Sequence, residues 1–400
     1  MNKKQSTLRL VLFGVIYFVQ GAMLTYFLSY NIIYLRSFDV EFGLIGLVNA
    51  ITLIPFVLKI FIGLLSDRVN FFGLGFRKPY IVLGLVMQVV AFTLMPKVNP
   101  ISQVGLYILL LILSSLGMST YDTCTDGLSI DSTPESQRGL VQGIMVGGRA
   151  VSSIITAYVF GLFANQMAWN NIFILLAALT ALAILLVIFV KEPKTRVQIE
   201  KVSDMAPKKA LGEPAFLIFL VLGLVYPLSL YATNSMISAF LNEGLGINLD
   251  VVGTMLSLFG VGSILGAVIG GPMMKWLGRR TSLFLALGIT IAATLGLSVT
   301  KGGAMAWVVV TLFGLAFGYY ETVFFAMAMD FAHPEIAAFM FSIAMAVGNF
   351  GIGAGQAAAG VLVESYGFTA FFLICAVIHL LVIPLALVIF KKRPDLLQSV

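Results

Sequence analysis

Charged residues are scarce in this sequence of 400 residues. Asp, Glu, Lys and Arg make up 10% of the chain, whereas apolar residues make up 60% and the mean hydropathy is +1.02. An ordinary soluble domain carries about 25% charged residues, because it must present a polar exterior to water. The composition therefore excludes a soluble enzyme, a nucleic-acid-binding domain and a disordered chain, and it indicates a membrane protein.

Cysteine and histidine are also scarce, with two residues of each. Cys124 and Cys375 lie in apolar stretches of different halves of the chain, so a disulfide framework is not expected. His333 and His379 show no metal-ligand spacing, and the sequence contains no nucleotide-binding P-loop. We therefore expect no metal, no cofactor and no enzymatic hydrolysis of ATP by this chain.

Long apolar runs, by contrast, cover most of the sequence. A membrane-spanning helix needs about 20 mostly apolar residues, and the chain holds twelve segments of this kind. The sequence therefore predicts an all-α, polytopic membrane protein with twelve transmembrane helices. These spans lie approximately at residues 8–36, 42–66, 79–96, 102–131, 138–165, 168–191, 213–241, 249–277, 281–299, 303–331, 335–363 and 367–391.

The basic residues predict the orientation of these helices. If both termini are cytoplasmic, 19 Lys and Arg residues fall on the cytoplasmic side, whereas Arg36, Lys97 and Lys301 fall on the opposite side. This asymmetry follows the positive-inside rule, and it explains the net charge of +6 without a nucleic-acid partner. We expect a multi-pass protein of a bacterial inner membrane, with both termini in the cytoplasm.

A polar stretch divides the chain into two halves. Residues 191–214 are rich in charge and proline and follow the sixth span, which is typical of a linker. The sequence therefore predicts two six-helix bundles, at 1–191 and 213–400, joined by a cytoplasmic linker at 192–212.

The two halves also share polar residues at a spacing of 199 positions. The recurring pairs are Tyr121 and Tyr320, Asp122 and Glu321, and Asp131 and Asp330. Internal repeats of this kind are typical of secondary transporters, whose substrate sites lie near the middle of the membrane. The repeat therefore predicts two pseudo-symmetric bundles that carry a solute.

A basic, glycine-rich turn follows the second span. Its characteristic residues are Gly63, Asp67, Arg68, Gly73, Arg77, Lys78 and Pro79. They resemble the signature of the major facilitator superfamily between its second and third helices. The resemblance implies that Asp67, Arg68, Arg77 and Lys78 gate the cytoplasmic side.

The corresponding turn of the second half is less complete. It keeps Arg279 and Arg280, but Lys275 and Trp276 stand where the acid and the first base of the signature would fall. The sequence therefore favours a salt-bridge latch in the first half and disfavours one in the second.

Residues 121–139 narrow the resemblance further. Asp122, Asp126 and Asp131, followed by a Pro-Glu-x-x-Arg-Gly turn, are similar to the fourth helix and following loop of the muropeptide permease and acetyl-CoA transporter branch of that superfamily. Related carriers move muropeptides, acyl-CoA, siderophores or folates. The resemblance therefore implies transport of an organic solute without fixing which one.

Four charged residues lie inside the spans of the first half: Lys59, Asp122, Asp126 and Arg149. Placing one such residue at mid-helix costs about 2.5–3.5 kcal/mol, so we expect the two acids and two bases to neutralise one another. A structural ion-pair cluster explains Lys59 and Asp126 as well as a functional one does. We interpret Asp122 and Arg149 as functional, with Arg149 suited to hold an anionic group of the substrate.

Glu321 occupies the corresponding position in the second half, where no Lys or Arg lies within a span. His379 is its one obvious titratable companion. Because burial away from a countercharge favours a protonated carboxyl group, we interpret Glu321 as a proton carrier, with a neutral structural acid as the alternative. We interpret Asp131 and Asp330 as residues that make local caps and loop contacts at the cytoplasmic face.

Polar and aromatic residues on the first, fourth, seventh and tenth predicted spans are candidates to line a substrate cavity, because the corresponding helices do so in the superfamily fold. Hydroxyls of aromatic residues beside amides suit a polar solute. Anchoring at the membrane surface is the alternative for some tyrosines, and it explains Tyr30 and Tyr226. The candidates are Tyr17, Gln20, Tyr121, Tyr231, Asn234 and Tyr320.

Together these features predict proton-coupled uptake of a polar or anionic organic solute by alternating access. The expected partners are a small-molecule substrate, protons and the lipid bilayer, with no nucleic acid, and the expected state is a monomer. Two alternatives remain open at this point: proton-driven efflux of amphiphilic compounds, and a membrane assembly factor that transports nothing.

Overall fold

The structure, a computed structural model, describes residues 3–73, 75–134, 137–192, 212–331 and 337–394. These residues form helices and connecting turns, and no strand occurs among them, which confirms the predicted all-α class. The α-helices are α1 (Lys3–Thr25), α2 (Asn31–Arg36), α3 (Phe42–Thr52), α4 (Ile54–Arg68), α5 (Lys78–Leu94), α6 (Val104–Ser132), α7 (Arg138–Asn165), α8 (Trp169–Phe189), α9 (Pro214–Ala239), α10 (Leu249–Val299), α11 (Gly303–Phe331), α12 (Ala337–Leu380) and α13 (Val382–Lys392).

Two of the helical stretches are about twice as long as one membrane crossing requires. Ten stretches of the described chain are long and apolar enough to span a membrane, and those at Leu249–Val299 and Met340–Lys392 have 51 and 53 residues. Each is broken at a glycine with a positive φ, Gly278 (78°) and Gly367 (75°), a conformation that costs glycine little. The breaks fall at the predicted turns and are consistent with twelve crossings.

Apolar side chains cover the outside of the molecule, and polar side chains lie within it. Phe61 and Val268 are 64% and 66% exposed, whereas Gln88 and Thr180 are fully buried. A soluble domain shows the opposite distribution, and a lipid environment requires this one, because hydrocarbon cannot satisfy polar groups. The helices are therefore membrane spans.

The chain forms two compact units. Unit 1 contains Met1–Asp39 and Ile51–Ile199, and unit 2 contains Val40–Ala50 and Glu200–Val400. The predicted division into bundles at 1–191 and 213–400 stays a prediction, because most of the linker lies outside the described residues.

The second span is broken in two. Leu53 separates α3 from α4, because Pro55 near the start of α4 lacks the N–H that would continue the helix. Most of α3 groups with unit 2, where the backbone N–H of Phe42 donates to Glu364 Oε2 at 2.8 Å. α4 belongs to unit 1, so this single span contributes to both units.

Glycines allow close helix packing within unit 1 where α1 meets α7. A side chain added at Gly21 would collide with the carbonyl oxygen of Arg149, and one added at Gly148 would collide with that of Gly14. Small residues permit this approach of two backbones in a membrane. The contact places the middle of α1 directly beside Arg149.

Candidate functional site

The four charged residues predicted inside the first-half spans come together in unit 1, with two polar residues of α1. They are contributed by α1, α4, α6 and α7. We call this group the charge cluster, and it consists of Tyr17, Gln20, Lys59, Asp122, Asp126 and Arg149.

Asp122 is the paired acid of the charge cluster. Lys59 Nζ lies 3.6 Å from its Oδ2 atom, and Gln20 Nε2 donates to its Oδ1 atom at 2.8 Å. The Asp122 side chain is 9% exposed, whereas that of Lys59 is 39% exposed. Lys59 therefore lies in a more exposed part of unit 1, whereas Asp122 lies in its interior.

Asp126, one helical turn further along α6, has a different partner. The hydroxyl of Tyr17 donates to Asp126 Oδ1 at 2.5 Å. Asp126 forms no ion pair with any side chain in the described part of the chain. Lys59 and Arg149 act on Asp126 through their charges without a direct ion pair, so the mutual neutralisation of the two acids and two bases stays a prediction.

Arg149 also lacks a carboxylate partner among the described residues. Its guanidinium carbon lies 5.9 Å from the centroid of the Tyr17 ring, a cation–π contact. One tyrosine of α1 therefore touches both an acid of α6 and a base of α7. A cation in this setting is suited to bind an anionic group.

In unit 2, Glu321 accepts hydrogen bonds from two tyrosines of α9. The hydroxyl of Tyr226 donates to Oε1 at 2.7 Å, and that of Tyr231 donates to Oε2 at 3.3 Å. Tyr226 is 2% exposed, so its interpretation as a membrane-surface anchor is wrong. Tyr30 is likewise buried, and its hydroxyl donates to the carbonyl oxygen of Ala157.

His379 is fully buried in α12 beside Tyr320. The centroids of the two rings are 6.3 Å apart, and neither imidazole nitrogen has a hydrogen-bond partner in the described part of the chain. The tyrosines, rather than this histidine, are therefore the observed hydrogen-bond donors to Glu321.

The other predicted lining residues are more enclosed than the charge cluster. Tyr121 and Tyr320 are fully buried, and Asn234 is 6% exposed, whereas Tyr231 is half-buried. The backbone of Tyr121 packs closely on Gly84 of α5. A role of these residues in substrate binding stays a prediction.

Two ion pairs occupy corresponding places near the turns that follow α4 and that break α10. Arg77 Nε lies 3.2 Å from Asp131 Oδ2, and Arg279 contacts both carboxylate oxygens of Asp330, at 2.7 and 3.2 Å. Asp131 and Asp330 therefore bind arginines at the two turns, far from them in sequence, which agrees with the predicted loop contacts. A charge pair also exists in the second half, where the sequence disfavours it.

The remaining residues of the predicted gate have separate positions. The side chain of Asp67 lies outside the described residues, Arg68 is exposed at the end of α4, and Lys78 Nζ donates to the carbonyl oxygen of Ile188. Sequence reasoning missed Glu192, whose carboxylate accepts backbone N–H groups at the start of α5. The sequence shows only that an acid follows α8. It does not show that this acid binds the backbone at the start of α5.

A membrane-spanning helical fold with charges held inside its units defines a transporter and not an enzyme. The family comparison agrees, because the model of the major facilitator superfamily matches residues 11–356 and 219–399. The chain belongs to the major facilitator superfamily, and it is a multi-pass secondary transporter. This confirms the family, the fold class and the general function that the sequence predicts.

Individual relatives support the same branch of the family. The chain is 25% identical over 333 residues to the anhydromuropeptide permease of Escherichia coli (strain K12), covering 80% of this chain and 67% of that protein. It is 26% identical over 291 residues to the folate-biopterin transporter of Synechocystis sp., covering 71% and 58%. The crystal structure of a D-xylose-proton symporter matches with a TM-score of 0.75 and 16% identity, over 99% of each chain, which shows the fold alone.

Proposed function

We propose that this protein takes a polar or anionic organic solute, muropeptide-like or similar, into the cytoplasm together with protons. Transport proceeds by alternating access in a bacterial inner membrane, with both termini in the cytoplasm. The protein works as a monomer, and its ligands are the solute and protons.

Arg149 is the observation that carries this proposal. It is a cation inside the membrane that forms no ion pair within the described part of the chain, and its guanidinium lies on the ring of Tyr17. Arg149 is half-buried, and because a charge within a span is costly without a partner, a solute with an anionic group is a suitable partner for it. The relatives named for anhydromuropeptides and for folate and biopterin also handle polar organic solutes.

Glu321 supports the coupling to protons. Tyr226 and Tyr231 donate to both of its oxygens, and no Lys or Arg lies in the second-half sequence away from helix ends and turns. The described hydrogen-bond donors of Glu321 are two neutral phenols, whose hydroxyls can reorient when the acid takes up a proton. Asp122 is the corresponding acid of unit 1, and Asp126, one turn away, forms no ion pair with a described side chain.

Uptake into proteoliposomes tests the proposal, with folate and an anhydromuropeptide as the solutes and an imposed proton gradient as the driving force. We expect accumulation of at least one solute by the wild type and loss of it in Arg149→Ala. In Glu321→Gln we expect loss of proton-driven accumulation while exchange of solute without a gradient persists. Lys301→Ala and Glu243→Gln remove an exposed base and an exposed acid, and they should transport normally.

Two results would contradict the proposal. One is accumulation of neither solute by the wild type, together with outward movement of an amphiphilic dye when the gradient is reversed. The other is full proton-driven accumulation by Glu321→Gln, since this would leave no role for that acid in coupling.

A further inference from the structure

We propose that Tyr17 couples the protonation of Asp126 to the binding of an anion at Arg149. Tyr17 is then a positioning residue, which acts on the solute through the two charges it touches. The inference rests on the proposed function, because it assumes that the solute carries an anionic group.

The geometry of three helices supports this role. Tyr17 of α1 donates its hydroxyl hydrogen to Asp126 of α6 at 2.5 Å, and its ring lies 5.9 Å from the guanidinium carbon of Arg149 on α7. Asp126 and Arg149 form no ion pair with each other or with another described side chain. The fold therefore places one phenol in contact with an acid and a base that do not neutralise each other.

The surroundings of Asp126 leave Tyr17 as its described hydrogen-bond donor. Asp122, one turn away on the same helix, holds both Lys59 of α4 and Gln20 of α1. Arg149 of α7 faces the ring of Tyr17 instead of a carboxylate. Direct contacts thus group Lys59 and Gln20 around Asp122, and Asp126 and Arg149 around Tyr17, while the charges of Asp122, Lys59 and Arg149 all act on Asp126.

A phenol has a single hydrogen to donate. While Asp126 is ionised, the charged oxygen holds that hydrogen in a strong bond. Once Asp126 is protonated, it becomes a donor itself and no longer competes as an anion for the hydrogen of Tyr17. The hydroxyl is then available to an incoming anion, and the negative charge of Asp126, which interacts with Arg149, has been neutralised.

Protonation and anion binding therefore favour each other. Thermodynamic linkage requires that each event strengthen the other by the same factor, commonly about fivefold or more. The proton thus prepares the site for the solute, and the solute retains the proton. A carrier with this property loads both ligands together, which symport requires.

Binding of folate and of an anhydromuropeptide to the full-length protein, measured by calorimetry at acidic and neutral pH, tests the coupling. We expect the wild type to bind at least one anion about fivefold or more tightly at acidic pH. Tyr17→Phe keeps the ring on Arg149 but lacks the hydroxyl, so it should bind with little dependence on pH. Asp126→Asn should also lose the dependence, and Tyr158→Phe, an exposed tyrosine, should retain it.

A Tyr17→Phe protein with the same dependence on pH as the wild type would overturn the inference and leave the proposed function intact. Absence of binding by both anions at either pH would instead contradict the proposed function. Infrared difference spectra on pH change need no solute, and Asp126→Asn assigns the carboxyl band. We expect Tyr17→Phe to shift that band, and an unshifted band would also overturn the inference.

Discussion

The two units hold their membrane-embedded acids in different ways. In unit 1, Asp122 pairs with Lys59, and Asp126 binds the hydroxyl of Tyr17 close to Arg149. In unit 2, Glu321 binds the hydroxyls of two tyrosines. Tyrosine–carboxylate hydrogen bonds therefore occur in both units, but fixed positive charge lies beside the acids in unit 1.

This difference suggests a division of labour within one carrier. Under the proposed function, the positive charge of unit 1 attracts the anionic group of the solute. Glu321 instead accepts hydrogen bonds from two neutral phenols. The repeat thus supplies the same backbone position twice, at Asp122 and Glu321, while the side chains around it differ in charge.

The two arginine–aspartate pairs also differ between the units. The side chains of Arg77 and Asp131 are 7% and 6% exposed, whereas those of Arg279 and Asp330 are 19% and 24% exposed. Arg77 also donates to Ser66 at 2.8 Å. The pair in unit 1 is therefore the more deeply buried version of the same contact.

Removing the arginine of each pair should produce the largest difference between the units. We expect Arg77→Ala to lower the free energy of unfolding by about 3–5 kcal/mol, because it leaves a buried carboxylate without its partner. Arg279→Ala should cost about 1 kcal/mol, since water screens the more exposed pair. Thermal unfolding of the purified variants in detergent measures both changes.

The double variant Arg77→Ala/Asp131→Ala is the control for this prediction. Removing both charges should restore part of the loss, because no unpaired charge remains. Equal losses of unfolding free energy for Arg77→Ala and Arg279→Ala would show that the difference in burial does not change what the two pairs contribute to stability.

Removing one hydroxyl at a time should rank the two donors to Glu321. A hydrogen bond to a charged group contributes about 1.5–3 kcal/mol, or roughly tenfold to a hundredfold in an equilibrium constant. We expect Tyr226→Phe, which loses the buried bond of 2.7 Å, to reduce proton-driven uptake by about tenfold or more. Tyr231→Phe loses a bond of 3.3 Å at a half-buried residue, so its effect should be smaller.

Initial rates of uptake in proteoliposomes measure this ranking. Tyr158→Phe changes an exposed tyrosine and should transport at the wild-type rate. A greater loss in Tyr231→Phe than in Tyr226→Phe would reverse the assignment of the principal donor.

Sequence reasoning predicted the spans and the turns well, because both depend on local composition. The breaks at Gly278 and Gly367 lie where a polar, glycine-containing turn interrupts two apolar runs. The thickness of the hydrocarbon core sets the number of apolar residues that one crossing needs, so the sequence shows a crossing by the length of its apolar run. The family followed from a local motif for the same reason.

Partners across helices could not be predicted in the same way. Helical spacing shows that Asp122 and Asp126 share a face, but the rotation of α1 and α4 decides that Lys59 binds the first and Tyr17 the second. The burial of Tyr226 depends on how α9 packs, which the sequence does not show. In sequence alone, Tyr226 therefore resembles a surface anchor. The partners of a side chain depend on how the helices pack, and the pattern of residues along the sequence does not specify that packing.

The smallest effect on stability should come from the ion pair between Lys59 and Asp122, a feature that distinguishes unit 1 from unit 2. Lys59 is partly exposed and 3.6 Å from Asp122, so solvent weakens the interaction, and we expect a coupling energy of about 1 kcal/mol or less. Thermal unfolding of Lys59→Met, Asp122→Asn and the double variant gives this energy, because the cycle cancels the separate losses such as the bond from Gln20. A coupling of about 3 kcal/mol or more would mean that the pair is an essential structural contact. In that case Lys59 would hold Asp122 in place, and the positive charge of unit 1 that is available to a solute would be reduced to Arg149.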